Sequence, residues 1–177
     1  TQVGVFLSVK EPRFGAVGDG VTDDSAAILA CVYAAAAASS ASANNRHGVY
    51  FPPGIYLIGT SACLTPSAVT SSNGIHFFGA GMHTSILRLN TSGSDLYFYN
   101  NVSTARTAFC TFSDIAFEGI APASVSAYTD ISDNAKAFRI YSTSATGSRE
   151  QGFQFYRCRF DCLGTGFEFA GDQTASE

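Results

Sequence analysis

The apolar residues of this chain change their period near residue 48. Upstream, Ile28, Cys31, Val32 and Ala35 fall at i, i+3, i+4 and i+7, which makes one apolar helix face. The spacing predicts a helix over Asp23 to Ala38, supported by the unbroken alanines from Ala34 to Ala38. The polar run from Ser39 to Asn45 lets it fray. Before the helix, Val3, Val5, Leu7 and Val9 alternate as an entry strand would. Downstream come short apolar runs separated by Gly, Asn, Ser or Asp: Gly48 to Phe51, Ile55 to Ile58, Ile75 to Phe78, Ile86 to Leu89, Leu96 to Tyr99, Phe112 to Phe117, Ala137 to Tyr141, Phe153 to Phe160 and Phe167 to Phe169. These read as strands. Pro53-Gly54 suits the two central positions of a type II turn between the first two.

Between entry strand and helix lies Phe14-Gly15-Ala16-Val17-Gly18-Asp19-Gly20-Val21-Thr22-Asp23-Asp24. Its glycines predict a tight turn or a close backbone approach. Thr22 or Asp23 is placed to cap the helix, and the other acids lie near its positive end. Farther on, Phe112, Ile115 and Phe117 recur at the same offsets as Phe155, Cys158 and Phe160. Recurring strand units are the mark of a stacked repeat. An antiparallel sandwich would place Asn-Gly or Asp-Gly between alternating strands. Asn73-Gly74 follows a polar loop and Asp19-Gly20 precedes the helix, so neither does. The pattern therefore predicts an all-β fold, a right-handed parallel β-helix whose one N-terminal helix covers the open end of the coil.

Composition narrows the function. At 177 residues the chain has room for about one domain. Only 14% of residues are charged, and neutral polar residues take their place, as on extracellular or virion β-proteins. A net charge of −4 without a basic cluster argues against nucleic acid as a partner. No signal peptide or membrane span is visible in this stretch. The chain opens on Thr1 and its last residues follow directly on a strand-like stretch, which suggests an internal piece of a longer chain. Asn90 and Asn101 match the glycosylation acceptor pattern.

Metal and cofactor chemistry find little support. The five cysteines form no CxxC pair, and His47, His76 and His83 do not fall at metal-site spacing from them. Buried thiols are expected instead. Asp19, Asp23 and Asp24 lack the alternating oxygen ligands of a calcium loop. Gly15, Gly18 and Gly20 are not followed by the Gly-Lys-Ser/Thr of a phosphate loop. No metal and no cofactor are expected.

Sugar chemistry remains. Glycoside hydrolysis needs two carboxyl groups on either side of the bond, and elimination needs a base and a charge-stabilising cation. Asp114, Glu118 and Asp161 are the candidate acids on the repeated units, with Glu168 and Asp172 beyond them. Asp114 and Glu118 flank Ile115 and Phe117, so at least one of the two acids should face outward. Each also reads as a solvated acid at a coil corner. Tyr128, Tyr141 and Tyr156, with Tyr97 and Tyr99, are candidates for sugar contact, because a phenol both stacks and hydrogen-bonds. Phenylalanines at alternate positions read mostly as core stacking.

Three segments in order carry a resemblance: Phe14 to Asp24, then Val49-Tyr50-Phe51-Pro52-Pro53-Gly54-Ile55-Tyr56-Leu57-Ile58, then Ile75-His76-Phe77-Phe78-Gly79-Ala80-Gly81-Met82-His83-Thr84-Ser85-Ile86-Leu87. Together they resemble the start of the pectate-lyase-like β-helix superfamily, shared by polygalacturonase-like enzymes, fungal exoglucanases and many bacteriophage tailspikes. Leu7-Ser8-Val9-Lys10-Glu11 is similar to the lead-in of phage tail proteins, and Pro12-Arg13 departs from the commoner form. The resemblance implies a lead-in over residues 1–13. Residues 14–177 would be the N-terminal part of a β-helix that continues beyond them. It implies a virion tailspike or tail appendage, acting extracellularly as a homotrimer alongside other virion proteins, that binds and can cleave a host surface polysaccharide. A secreted polysaccharide hydrolase or lyase and a non-catalytic structural virion module are the alternatives. It supplies no catalytic residue within this stretch.

Overall fold

The computed structural model describes residues 5–40, 47–59, 63–64, 71–72, 74–89, 95–101, 106–107, 110–119, 136–142, 153–161 and 165–171. The chain coils through β1 (Phe6–Ser8), β2 (Asp19–Asp23) and the helix α1 (Ser25–Ser40). It continues through β3 (Gly48–Phe51), β4 (Gly54–Ile58), β5 (Ser71–Ser72), β6 (His76–Gly79), β7 (Ser85–Leu89), β8 (Asp95–Asn101) and β9 (Arg106–Thr107). The last strands are β10 (Thr111–Ser113), β11 (Ala116–Glu118), β12 (Lys136–Ser142), β13 (Gln154–Tyr156), β14 (Arg159–Asp161) and β15 (Thr165–Gly171). Three sheets wrap the coil, in the orders β1-β3-β6-β10-β13, β2-β4-β7-β11-β14 and β8-β12-β15, and β5 pairs with β9. Every pairing among the described residues is parallel. The architecture is the expected parallel β-helix.

Register stacks like on like. Leu7, Val49, Phe77, Phe112 and Phe155 share one inward row, and Tyr56, Leu87, Phe117 and Phe160 share another. Strands one hydrogen bond apart are ~4.8 Å apart, which suits stacked rings. Phe77 lies 4.7 Å from Phe112, Phe112 lies 5.0 Å from Phe155, and Phe117 lies 5.2 Å from Phe160. Phe138 enters from β12 and meets Phe112 and Phe117 edge-on at 4.9 and 5.1 Å. The recurrence of Phe112 and Phe117 at Phe155 and Phe160 is thus one full turn of the coil.

Residues 112–117 and 153–160, expected as single strands, are each broken in two. Asp114 (φ 58°) and Arg157 (φ 50°) take left-handed backbone and bend the chain from the first sheet into the second. Aspartate is tolerated there more than most residues and arginine is not, and neither marks the bend by itself in the sequence. A strand, β2, also runs through the glycine stretch where a turn was expected, with an irregular register against β4.

The helix begins and ends two residues later than predicted, because the acids before it divide the work. Ile28 N donates to the Asp24 carbonyl at 2.9 Å, which makes Asp24 the N-cap. Its carboxylate turns back and accepts Val17 N at 2.7 Å and Gly18 N at 3.0 Å. Burial pushes that carboxyl above its ordinary value against those two bonds. Asp23 accepts from Ser25 N at 3.0 Å, as one of the two expected caps. Thr22 instead donates to Asp19. At the far end the Ser39 hydroxyl donates to the Ala35 carbonyl and accepts His47 N, which holds the last turn and ties it to β3. Ile28, Cys31, Val32 and Ala35 are all fully buried, and α1 packs on β1 and β3.

The expected type II turn at Pro53-Gly54 is absent: Gly54 does not have a positive φ and already begins β4. Its lack of a side chain serves a close approach, since a Cβ there would sit 2.7 Å from the Gly18 carbonyl oxygen. Gly18 itself has φ +69°, which fits the predicted tight turn. Cys31, Cys63 and Cys110 are buried and Cys158 is half-buried, and burial pushes the Cys31 thiol up to about 12. Cys162 and Asn90 lie outside the described residues. Among the described residues no helix is long and apolar enough to cross a membrane.

Candidate functional site

Because side chains alternate across a strand, each inward row of the first sheet implies two outward rows. One is Ser8, Tyr50, Phe78, Ser113 and Tyr156, and the other is Phe6, Gly48, His76, Thr111 and Gln154. Their rings form a contiguous aromatic surface. Tyr50 stacks on Phe78 at 5.0 Å, Phe6 meets both edge-on at 5.8 and 5.6 Å, and the His76 ring tilts against Phe78 at 5.0 Å. Gly48 makes room for this cluster, since a Cβ there would fall 2.8 Å from the Phe78 ring. Phe6 is 55% and Tyr156 60% exposed.

Between Phe78 and Tyr156 the row narrows to Ser113, whose hydroxyl lies 3.0 Å from His76 Nε2. Burial lowers the His76 pKa below its ordinary value, with the Asp114 charge opposing. At the adjoining corner, Arg157 holds Asp114 through bonds of 2.6 and 2.8 Å and lies 4.6 Å over the Tyr156 ring. The Arg157 hydrogen bonds keep Asp114 below the usual carboxylate value.

The outer face of the second sheet is ionic. Leu57, Arg88, Glu118 and Asp161 share one row, and Ile55, Ile86, Ala116 and Arg159 share the next. Arg88 donates to Glu118 Oε2 through Nε (3.0 Å) and Nη2 (2.8 Å). Arg159 reaches Glu118 Oε1 from the other side and touches His83 Nδ1 at 3.3 Å. The Glu118 side chain is only 14% exposed.

The structure therefore brings Asp114 and Tyr156 together at one corner and sets Glu118 beside Asp161 on the next sheet. Asp114 and Glu118 are both engaged by arginines. The acid of a glycosidase must hold a proton at its working pH, and Asp114 is biased the other way. The side chains of Tyr141, Tyr97, Tyr99 and Glu168 lie outside the described residues, as do Tyr128 and Asp172 altogether. Among the described residues no cluster of His, Cys, Asp and Glu could hold a metal.

Sequence reasoning missed Phe6, Tyr50, Phe78, His76 and Ser113, and the arginines of the ionic face. Most of the described phenylalanines are core as expected, with Phe6, which is exposed, and Phe78, which faces outward and is half-buried, as exceptions. A signal existed in the neighbouring aromatics Tyr50-Phe51, Phe77-Phe78 and Phe155-Tyr156. In a strand, one of each pair must face out.

Among curated proteins, the chain is 38% identical over 76 residues to mannuronan C5-epimerase AlgE2 of Azotobacter vinelandii, a match covering 43% of this chain and 7% of that protein. It is 37% identical over 82 residues to AlgE4 of the same organism, covering 46% of this chain and 14% of that one. The chain thus matches only a small part of these relatives. Among solved structures, the AlgE6 A-module of that organism superposes with a TM-score of 0.60 at 22% identity over 93% of this chain and 40% of that one. The ORF18 protein of Geobacillus virus E2 superposes with a TM-score of 0.53 at 18% identity, over 93% of this chain and 40% of that one. At such identities the likeness shows the parallel β-helix fold alone. Residues 6–157 match the family described as rhamnogalacturonase A/epimerase, pectate lyase-like. That match spans the outward rows of the first sheet and most of the coil, and the chain belongs to this family.

Proposed function

We propose that this protein is a virion tail-appendage protein whose β-helix binds a host surface polysaccharide along the outer face of its first sheet, as a homotrimer alongside other virion proteins. The outward aromatic row carries the reading. Phe6, Tyr50, Phe78 and Tyr156 offer ring faces to sugar rings, and His76, Ser113 and Arg157 supply hydrogen bonds beside them. The fold shared with a viral protein supports the virion setting. Binding to a panel of immobilised polysaccharides, mannuronan and bacterial capsules included, tests it on the full-length protein. Retention on at least one glycan, weakened by Tyr156→Ala, is expected. No retention on any host glycan, or a monomeric mass for the full-length protein, would sink it.

A second reading is a secreted polysaccharide hydrolase or lyase, favoured by the family match to rhamnogalacturonase A/epimerase, pectate lyase-like proteins. New reducing ends or unsaturated products from a glycan panel would support it. A full-length protein that yields neither removes it.

A further inference from the structure

Ser113, in the middle of one outward row, meets His76 of the neighbouring row. Ser113 Oγ and His76 Nε2 are 3.0 Å apart, within the distance that proton transfer requires. Ser113 is only 8% exposed and sits one rung from Phe78 on one side and from Tyr156 on the other, so bulk water is held off its hydroxyl. The His76 ring is braced against Phe78. Its lowered pKa, caused by burial, leaves the imidazole neutral at neutral pH, with Nε2 able to accept the serine proton when Nδ1 carries the ring hydrogen. Asp114, next in the chain to Ser113, favours the imidazolium once formed. Arg157 follows Tyr156 and brings an exposed cation to the same corner, where it can meet charge developing on a carbonyl oxygen.

We propose that Ser113 and His76 act as nucleophile and general base in the hydrolysis of O-acyl esters carried by the polysaccharide on this face. This rests on the polysaccharide-binding function proposed for the same surface. Ser113 Oγ bonds to the acyl carbon as its proton passes to His76 Nε2. The ester C–O bond breaks, and that proton goes to the departing sugar oxygen. Water then adds to the acyl carbon and gives a proton to His76. The bond to Ser113 Oγ breaks, Oγ takes the proton back, and the acid leaves as a carboxylate with its proton released to solvent. No metal or redox partner enters.

Two probes test this on the full-length protein: a fluorophosphonate, read by peptide mass, and turnover of p-nitrophenyl acetate. The label should map to Ser113. Turnover should fall on the order of 10²-fold in Ser113→Ala and in His76→Phe, and should decline as pH falls through the lowered His76 value. Ser113→Cys keeps the test open if Ser113→Ala unfolds: its thiol should alkylate with iodoacetamide faster with His76 present than in the His76→Phe background. A Ser113 that takes no label, or turnover indifferent to both substitutions, overturns the proposal. Polysaccharide binding measured in parallel separates the two claims, because a protein that binds glycan without cleaving esters overturns only this one.

Discussion

The outer faces of the first and second sheets back onto inner rows that pack edge-on against each other, yet hold opposite chemistry. The first presents Phe6, Tyr50, Phe78 and Tyr156, with ring contacts that tolerate exposure. The second presents Arg88, Glu118 and Arg159, whose charges are satisfied mainly by one another. An exposed ring leaves its face available to a ligand and costs little where it stands. A carboxylate between two arginines has its lone pairs taken and is expensive to disturb. The difference favours the first face for the proposed binding and gives the second cohesion between coils.

The largest test removes what the two faces share. Phe112 stacks between Phe77 and Phe155 beneath the first sheet and meets Phe117 of the second edge-on. Phe112→Ala should cost about 3–5 kcal/mol in denaturant unfolding and take glycan binding with it. Binding that survives unchanged would show the faces to be independent of their common core.

Next comes the ionic face. Glu118→Ala strands Arg88 and Arg159 beside each other and should cost about 2 kcal/mol, less than a deeply buried pair because both arginines reach solvent. Glycan affinity, measured well below the unfolding midpoint, should not change. A loss of affinity without a loss of stability would move the binding site to the second sheet.

On the aromatic face the signs reverse. Tyr156→Ala should leave stability within about 0.5 kcal/mol, while sugar affinity in calorimetry falls by about 1 kcal/mol, roughly fivefold. Equal affinity for both proteins would remove Tyr156 from the site.

The smallest effect is at the corner between the faces. Asp114 has its folded pKa lowered, so the pair with Arg157 contributes fully above the ordinary value of 3.8. That contribution fades only as pH falls through the lower folded value. Thermal midpoints of the protein and of Asp114→Asn should therefore run parallel from pH 5 to 8 and converge in stronger acid. Convergence already near neutrality would mean that the corner is not held by this ion pair.

Much of the scaffold could be read in advance because its signals are local. The apolar face of α1 is written within eight residues, from Ile28 to Ala35. Recurrence of Phe112 and Phe117 at Phe155 and Phe160 showed the repeat before any register was known. The bends at Asp114 and Arg157 were not legible, since either residue is unremarkable until its φ is seen. Nor was the ionic face: Arg88 lies 30 residues from Glu118, and Glu118 lies 41 from Arg159. Coil lengths between them are irregular, so no fixed spacing marks the set. Asp114 and Glu118 stood out in the sequence as candidate acids beside apolar neighbours, and only their arginine partners show how their carboxylates are engaged.

By itself, then, the sequence determined a capped parallel coil: periodicity and glycine placement depend on nearest neighbours along the chain. Tertiary structure alone decided which aromatics face out, which acids are neutralised and that Ser113 meets His76. Those outcomes depend on the register between coils, and register is set by how whole rows of side chains fit together in three dimensions.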